Sequence, residues 1–261
     1  MQQPVSFKSL LSSNKPLCGV ACLLGESALV EIAAAAKIDF LFVDIEHGRR
    51  SYDRLESVAR TAQGCGLPAI ARLPHPDAKE VARLLEIGYC GTILPHANTV
   101  AQVESLVAAS HYPPHGARSF AICTRTGRYG DVDPATYITN ANENIIVGLM
   151  IEDKEAIENA EALLSVPGVN LAFIGRADLS LSMLGRLAPD DPTVLDATRH
   201  IAEICRKHHV ACMSYVEDIE QISLFHAVGV QLFLLSADTG IWLKGCQEAA
   251  REFECRIRSR G

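Results

Sequence analysis

The sequence has few of the features that mark exported, membrane-bound or nucleic-acid-binding proteins. Its first residues, MQQPVSFKSLLSSNKP, contain no basic segment followed by an apolar one, so no secretory signal is predicted. No run approaches the ~18–20 apolar residues that span a bilayer, which argues against a membrane partner. The net charge is −7 and no run of Lys and Arg is present, which argues against nucleic acid as a partner.

A disulfide framework and a cysteine-based metal site are also not indicated. The nine cysteines are an odd number, are scattered along the chain and form no CxxC pair. We therefore expect nine free thiols, buried or partly buried, because free cysteine packs as a small hydrophobic side chain. Free thiols indicate a reducing compartment, and the cytoplasm is the default location.

The composition is that of an ordinary globular protein, with 48% hydrophobic and 21% charged residues. A length of 261 residues allows one large domain or two small ones. No linker or low-complexity segment divides the chain, so we predict one domain over residues 1–261.

Short apolar runs recur along the chain and do not alternate with polar residues. This pattern is typical of parallel strands that are covered on both faces. The predicted strands are Gly19–Leu23, Phe40–Asp44, Ala69–Leu73, Thr92–Leu94, Ile145–Ile151, Leu171–Ile174, Val210–Tyr215 and Leu232–Leu235.

Segments of helical periodicity separate these strands. They are Glu26–Ala36, Tyr52–Ala62, Ala78–Ile87, Val100–Ser110, Pro134–Asn142, Lys154–Leu164, Thr193–His208, Asp218–Ala227 and Ile241–Arg256. Asp77 and Asp153 stand where helix N-caps are expected. Eight strands that alternate with helices in about 250 residues predict a (β/α)8 TIM barrel. The rival fold, a doubly wound open sheet, usually needs fewer strands, and no GxGxxG motif follows the first strand.

Polar residues collect at the carboxyl ends of the predicted strands, where the chemistry of a TIM barrel takes place. They come from four different strands and include acids, a histidine and an arginine: Asp44, Glu46, His47, Arg72, Glu152 and Asp178. This shared rim predicts an active site.

These residue types suit enolate chemistry that depends on a metal. Glu152 and Asp178 offer oxygen ligands to a hard cation such as Mg²⁺ or Mn²⁺, which can also bind a 2-keto acid. Arg72 would stabilise the enolate oxygen, and His47 would transfer a proton, oriented by Asp44 or Glu46.

Structural interpretations of the same residues stay open. Glu152 and Asp178 could cap the helices that follow them, and His47 could be an ordinary rim histidine. Arg72 could be an ion-pair partner of Asp44 or Glu46.

One connection, His111–Asp133, is unusually long and contains several arginines. Long loops in compact domains are commonly functional. We therefore predict a functional role for this loop, with a solvated loop as the alternative.

Several of these segments together resemble the HpcH/HpaI aldolase family of metal-dependent pyruvate aldolases. They are FLFVDIEHG, ARLPHPD, HYPPHGARS, IED and FIGRADLS, and the similarity runs from about Gly19 to about Trp242. The resemblance implies a barrel with Glu152 and Asp178 as ligands of a divalent metal, Mg²⁺ or Mn²⁺, with Co²⁺ or another ion possible.

The resemblance also implies roles for the remaining rim residues. His47 with Asp44 matches the family's base dyad, and Arg72 matches its arginine on the enolate oxygen. Backbone N–H groups around Ala177 and Asp178, at a helix start, match the donors that hold the substrate carboxylate. The loop residues Arg118, Arg125 and Arg128 with Tyr129 resemble the family's Arg-rich segment, which implies recognition of a carboxylated aldehyde or acyl partner. Family members are usually hexamers that exchange C-terminal helices, so a homo-oligomer, a hexamer or trimer of dimers, is expected.

Three positions depart from the family's pattern. Met150 replaces a glutamine, Ile45 replaces a glycine, and Arg176 replaces the proline of GPADLS. Met150 removes a polar group from the keto-acid pocket, and Arg176 could contact an acidic or bulky second substrate.

Three hypotheses of function follow. The first is an aldolase that interconverts a 4-hydroxy-2-oxo acid with pyruvate and an aldehyde. The second, which the departures motivate, is a synthase of the same fold that condenses oxaloacetate with acetyl-CoA, as siderophore citrate synthases do. The third is a barrel that binds a metabolite without turnover.

Overall fold

Eight parallel strands form a closed barrel in the computed structural model, which describes residues 6–13, 15–49, 51–216 and 219–257. The strands follow one another in chain order, and β1 also pairs with β8. They are β1 Leu17–Cys22, β2 Phe40–Asp44, β3 Ala69–Arg72, β4 Gly91–Leu94, β5 Ile146–Ile151, β6 Leu171–Ile174, β7 Ala211–Tyr215 and β8 Leu232–Ala237. The predicted TIM barrel is confirmed, and the open sheet is excluded.

Twelve α-helices surround or close the barrel in the described residues. They are α1 Phe7–Leu11, α2 Ser27–Ala35, α3 Tyr52–Gly64, α4 Ala78–Ile87, α5 Val100–Ser110, α6 Pro134–Asn144, α7 Lys154–Glu158, α8 Ala160–Leu164, α9 Arg176–Leu184, α10 Pro192–Lys207, α11 Ile219–Val228 and α12 Asp238–Ile257. None of them is long and apolar enough to cross a membrane.

The apolar core has two parts, because each strand is buried on both faces. One part fills the barrel, where the Phe42 and Phe173 rings meet edge to face with centroids 5.2 Å apart. The other lies between the strands and the outer helices and contains Val43, Leu84 and Ile201, among others. This burial explains why the strand sequences are continuously apolar.

Helix α1 closes the amino-terminal end of the barrel. Its Phe7 is 1% exposed and packs on Phe40, with ring centroids 5.4 Å apart. The polar ends of the strands therefore lie at the opposite, open mouth.

The helix predictions are confirmed in type with three differences. Helix α1 was not predicted, α9 was absent from the helices predicted by periodicity, and the predicted helix Lys154–Leu164 is two short helices separated at Asn159. The predicted start of α11 at Asp218 lies outside the described residues. Asp77 caps α4 as expected, through bonds from the Lys79 and Glu80 N–H groups.

All nine cysteines are free thiols, as predicted, but the expectation that all are buried or partly buried is wrong. Four of them lie on exposed helix or loop surface: Cys65, Cys123, Cys246 and Cys255.

Candidate active site

A buried ion pair joins the carboxyl ends of β2 and β3. Asp44 and Arg72 are register partners on these neighbouring strands, so their side chains meet at the same rim. The guanidinium donates from Nε to Asp44 Oδ1 at 3.0 Å and from Nη2 to Oδ2 at 2.6 Å. Such two-pronged pairs fix the orientation of both groups. The ion-pair interpretation of Arg72 is thus confirmed, and it places a rigid cation at the rim.

The remaining edge of the Arg72 guanidinium faces other rim residues. Its Nη1 lies 2.9 Å from Glu46 Oε2 and 3.5 Å from the Met150 sulfur, and its Cζ lies 5.7 Å from the centre of the Phe42 ring. The thioether of Met150 is only a weak acceptor. The Nη1 group therefore has donor capacity left for a substrate oxygen.

Glu152 follows β5 and is 1% exposed. Its Oε1 accepts the backbone N–H of His96 at 2.8 Å, whereas Oε2 is buried without a hydrogen-bond partner among the described residues. Burial raises the pKa of Glu152, and the charge of nearby Asp178 raises it further, against the lowering effects of His96 and Arg72. An unpartnered carboxylate oxygen of this kind needs a cation or a proton.

His96 orients Glu152, a role that the sequence analysis missed. It follows β4 with a left-handed backbone (φ 47°), and this conformation turns its N–H toward Glu152. Its ring Nδ1 lies 2.9 Å from Asp153 Oδ2, so Asp153 holds the histidine and does not cap α7 as predicted. Burial lowers the pKa of His96, but the bond to Asp153 and the nearby carboxylates outweigh it, and the net shift is upward.

The start of α9 brings backbone donors and Asp178 to the same mouth. Gly175 precedes the helix and lies against Glu152: a Cβ there would come within 2.8 Å of Glu152 Oε2. Ala177 and Asp178 are in the first turn, where N–H groups point outward and favour anions. They line a cavity of about 270 Å³ together with Asp44, Arg72 and Met150.

The residues at this mouth fit a hard divalent cation. Glu152 and Asp178 are close enough to interact electrostatically, and Glu152 Oε2 is unpartnered. No group of three or more His, Cys, Asp or Glu residues suited to a metal occurs in the described part of the chain. Mg²⁺ can be bound by two protein carboxylates, with water and substrate at its remaining coordination positions.

His47 lies at the edge of the rim with its side chain 67% exposed. Its ring Nε2 is 4.0 Å from Glu46 Oε2. Asp44 instead accepts the backbone N–H groups of Glu46 and His47, at 3.0 and 3.2 Å, in addition to Arg72. The predicted contact between Asp44 and the imidazole is therefore not formed among the described residues, and Glu46 is the acid beside the ring.

Arg176 lines the cavity but is held inside the protein, with 5% exposure. Its Nη1 donates to Asp190 Oδ1 at 2.7 Å and its Nη2 to the Tyr215 carbonyl at 3.0 Å. Its Cζ lies 4.4 Å from the Phe225 ring centre. The side chain thus ties the loop after α9 to the end of β7 and shapes the cavity wall.

Arg125 lies at the other end of the barrel. Its Nη1 donates to the side chain of Gln63 near the end of α3, and it lies beside Gly88, which ends α4. Helix ends of this kind lie at the amino-terminal mouth, because the outer helices run opposite to the strands. Arg125 therefore lies away from the candidate active site of its own chain, and its predicted contact with the substrate stays a prediction.

The fold and the polar rim are those of a barrel enzyme with its site at the carboxyl ends of the strands, and comparison with known proteins identifies the family. The model of the HpcH/HpaI aldolase/citrate lyase family matches residues 22–243, so the chain belongs to this family. The predicted family is confirmed.

Three relatives illustrate the similarity. 5-Keto-4-deoxy-D-glucarate aldolase of Klebsiella pneumoniae subsp. pneumoniae is 26% identical over 252 residues, which cover 96% of this chain and 97% of the relative. The crystal structure of an HpcH/HpaI aldolase from Desulfitobacterium hafniense is 25% identical, with a TM-score of 0.89 and coverage of 95% and 96%. Citrate synthase SbnG is 26% identical, with a TM-score of 0.88 and coverage of 96% and 98%.

The chain is therefore an enzyme of the aldolase family. Class II aldolases of this family generally depend on a divalent metal and act on small keto acids. Both an aldolase and a citrate synthase occur among the similar proteins.

The raised pKa of Glu152 leads to a prediction for the metal-free protein. A carboxyl whose pKa is raised on folding is stabilising only while protonated, so stability is lost as the pH rises through that pKa. In EDTA, the melting temperature of the wild type should fall relative to that of Glu152→Gln as the pH rises from about 4.3 to neutrality.

The glutamine variant is a matched control, since it keeps an oxygen for the His96 N–H group and carries no charge. Added Mg²⁺ or Mn²⁺ should stabilise the wild type but not the variant. A wild-type melting temperature that rises with pH relative to the variant would show that the Glu152 pKa is not raised.

Proposed function

We propose that this protein catalyses the reversible cleavage of a 4-hydroxy-2-oxo acid to pyruvate and an aldehyde, with a divalent metal as cofactor. The observation that carries the proposal is the unpartnered Glu152 Oε2, buried near Asp178 at the mouth that holds the fixed Arg72 guanidinium. This arrangement combines a cation site with a second positive charge, as a developing enolate requires.

Glu152 and Asp178 would hold the metal, for which Mg²⁺ or Mn²⁺ is the first choice and Co²⁺ is also compatible. When bound, the ion would supply Lewis-acid stabilisation of negative charge on the keto oxygen. His96 and Asp153 support this site by fixing Glu152 through the bond to the His96 N–H group.

The substrate would lie in the cavity between Arg72 and the start of α9. The N–H groups at Ala177 and Asp178 would bind its carboxylate at the positive end of the helix dipole. Arg72 Nη1 would donate to the oxygen on which charge develops, and Met150 would pack against the keto-acid body.

His47 would remove the proton of the 4-hydroxyl group, directly or through water. Its exposed ring is free to turn toward a bound substrate, and Glu46 is placed to stabilise the protonated imidazole. Asp44 would act through Arg72 and through the backbone of the loop that carries His47.

The metal requirement is tested by pyruvate release from 5-keto-4-deoxy-D-glucarate, the substrate in the name of the similar Klebsiella aldolase. Excess EDTA should lower the rate by about 100-fold or more, and added Mg²⁺ or Mn²⁺ should restore it. Pyruvate release at an unchanged rate in EDTA would exclude the mechanism.

A synthase that condenses oxaloacetate with acetyl-CoA is the second candidate, favoured by the similarity to citrate synthase SbnG. The two reactions differ in the nucleophile. In the aldolase reaction the enolate of pyruvate adds to an aldehyde, whereas in citrate formation the enolate of acetyl-CoA adds to the keto carbon of oxaloacetate and hydrolysis of the thioester releases CoA. Release of free CoA from acetyl-CoA and oxaloacetate, without pyruvate release from hydroxy-oxo acids, would replace the aldolase proposal with this one.

The role of Arg72 predicts a loss of turnover when its paired donors are removed. Arg72→Lys should lower kcat by about 10²–10³-fold, because a lysine cannot contact Asp44, Glu46 and the enolate oxygen together. The Kd for the metal should stay nearly unchanged, since Arg72 is not a ligand.

The matched control is Arg60→Lys, an exposed arginine that contacts Glu56 on α3. Its kcat should equal that of the wild type. A kcat for Arg72→Lys within about twofold of the wild type would contradict the proposed contact with the enolate oxygen.

We also propose that residues 1–261 form one domain.

We further propose that the chain assembles into a homo-oligomer, a hexamer or trimer of dimers. In this assembly α12 would be covered by a neighbouring subunit. This helix exposes several large apolar side chains: Ile241, Trp242, Leu243, Phe253 and Ile257. Trp242 alone is 72% exposed. Exposed large apolar side chains concentrated on one helix support an interface there.

Light scattering should give the wild type the mass of the proposed hexamer, whose single chain has a mass of 28.2 kDa. Replacement of both Trp242 and Leu243 by serine should release smaller species, because it removes apolar area from the interface. Leu187→Ser is the matched control, since Leu187 is 67% exposed and is not part of α12. A wild-type mass of one chain would overturn the assembly.

A further inference from the structure

A second cavity, of about 560 Å³, lies at the amino-terminal end of the barrel, and we call it the amino-end cavity. It is bounded by Phe7 of α1, the start of β3 at Ala69, the end of α4 at Gly88, Arg118 of the long connection, and Tyr137 of α6. The long connection lies at this end because it follows α5 and leads to the start of β5. The cavity is larger than the candidate active site and shares no lining residue with it.

Arg118 is the unusual side chain of this cavity. It is 5% exposed, and its Nε and Nη2 have no hydrogen-bond partner among the described residues. Its Cζ lies 4.7 Å from the centre of the Tyr112 ring, and its backbone N–H donates to the His111 carbonyl at 2.9 Å. The guanidinium is therefore held in place without an acceptor for these two nitrogens, which is costly for a buried charge.

The described lining of the amino-end cavity contains no acidic side chain that could neutralise Arg118. The other charged member is Arg128, and the remaining walls are apolar or carry neutral groups such as Gln63, Thr126 and Asn140. The net charge of the lining is positive. The chemistry of the site is thus that of an anion receptor with apolar walls.

We propose that the amino-end cavity is a binding site for a small carboxylate with an apolar body, held by Nε and Nη2 of Arg118. These two nitrogens lie on one side of the guanidinium and can donate in parallel to the two oxygens of a carboxylate. The apolar walls, which include Leu67, Leu85 and Ile145, would contact the body of the ligand.

This site is separate from the proposed catalytic one. Strand β3 begins at Ala69 in the amino-end cavity and ends at Arg72 in the candidate active site, a rise of about 10 Å. Fully buried side chains such as Ile70 and Ile93 fill the barrel between them. The inference therefore does not depend on which reaction the enzyme catalyses.

Benzoate is a suitable probe, and benzamide is its neutral counterpart of similar shape. Calorimetric titration should detect benzoate binding to the wild-type protein and no comparable binding of benzamide. Arg118→Met should weaken benzoate binding by about tenfold or more, since it removes the charge and keeps a stem that can pack on Tyr112. Saturating pyruvate with Mg²⁺ should not displace benzoate.

Arg125→Gln is the matched control, because Arg125 lies nearby but does not line the cavity, and its benzoate Kd should stay within about twofold of the wild type. Ala141→Leu, which fills the cavity and retains Arg118, should also lose benzoate and serves if Arg118→Met does not fold. Equal binding to the wild type and the tested cavity variant, displacement by pyruvate, or no benzoate binding up to about 10 mM would each overturn the proposal.

Discussion

The buried pair of Arg72 and Asp44 is the constraint on which the candidate active site depends. The pair joins β2 to β3 at a point where the strands are in register, so its geometry follows from the barrel itself. Asp44 also binds the N–H groups of the loop that carries Glu46 and His47. The Asp44 carboxylate therefore positions both the Arg72 guanidinium and the loop that carries His47, the proposed proton acceptor. Such a pair stabilises little compared with apolar packing, but its geometry is specific.

The elements of the barrel could be predicted from the sequence because parallel strands buried on both faces leave a continuous apolar pattern. Strands Phe40–Asp44 and Leu171–Ile174 agree with the prediction at both ends. Helix α1 was missed because five residues carry too little periodicity. Helix α9 was absent from the helices predicted by periodicity because it follows β6 directly, although a helix after Asp178 was among the expectations.

The candidate site was predictable to the level of which residues share the rim, since strand order and strand ends decide that. Their mutual contacts were not. Whether the His47 imidazole lies beside Asp44 or Glu46 depends on the conformation of a loop. The role of His96 depends on a left-handed backbone conformation that the sequence pattern does not predict. The position of Arg125 at the amino-terminal mouth could also be predicted, because a connection that leads from a helix to the next strand lies at that end of the barrel.

The contact between Gly175 and Glu152 has a consequence for how such enzymes can diversify. A Cβ at position 175 would approach Glu152 Oε2 to 2.8 Å and the Met150 methyl carbon to 3.1 Å, so a substitution there would displace Glu152. The next residue, Arg176, points its guanidinium away toward Asp190 and β7. A substitution at Arg176 would thus alter the cavity wall, whereas a substitution at the adjacent Gly175 would disturb the proposed metal-binding carboxylate.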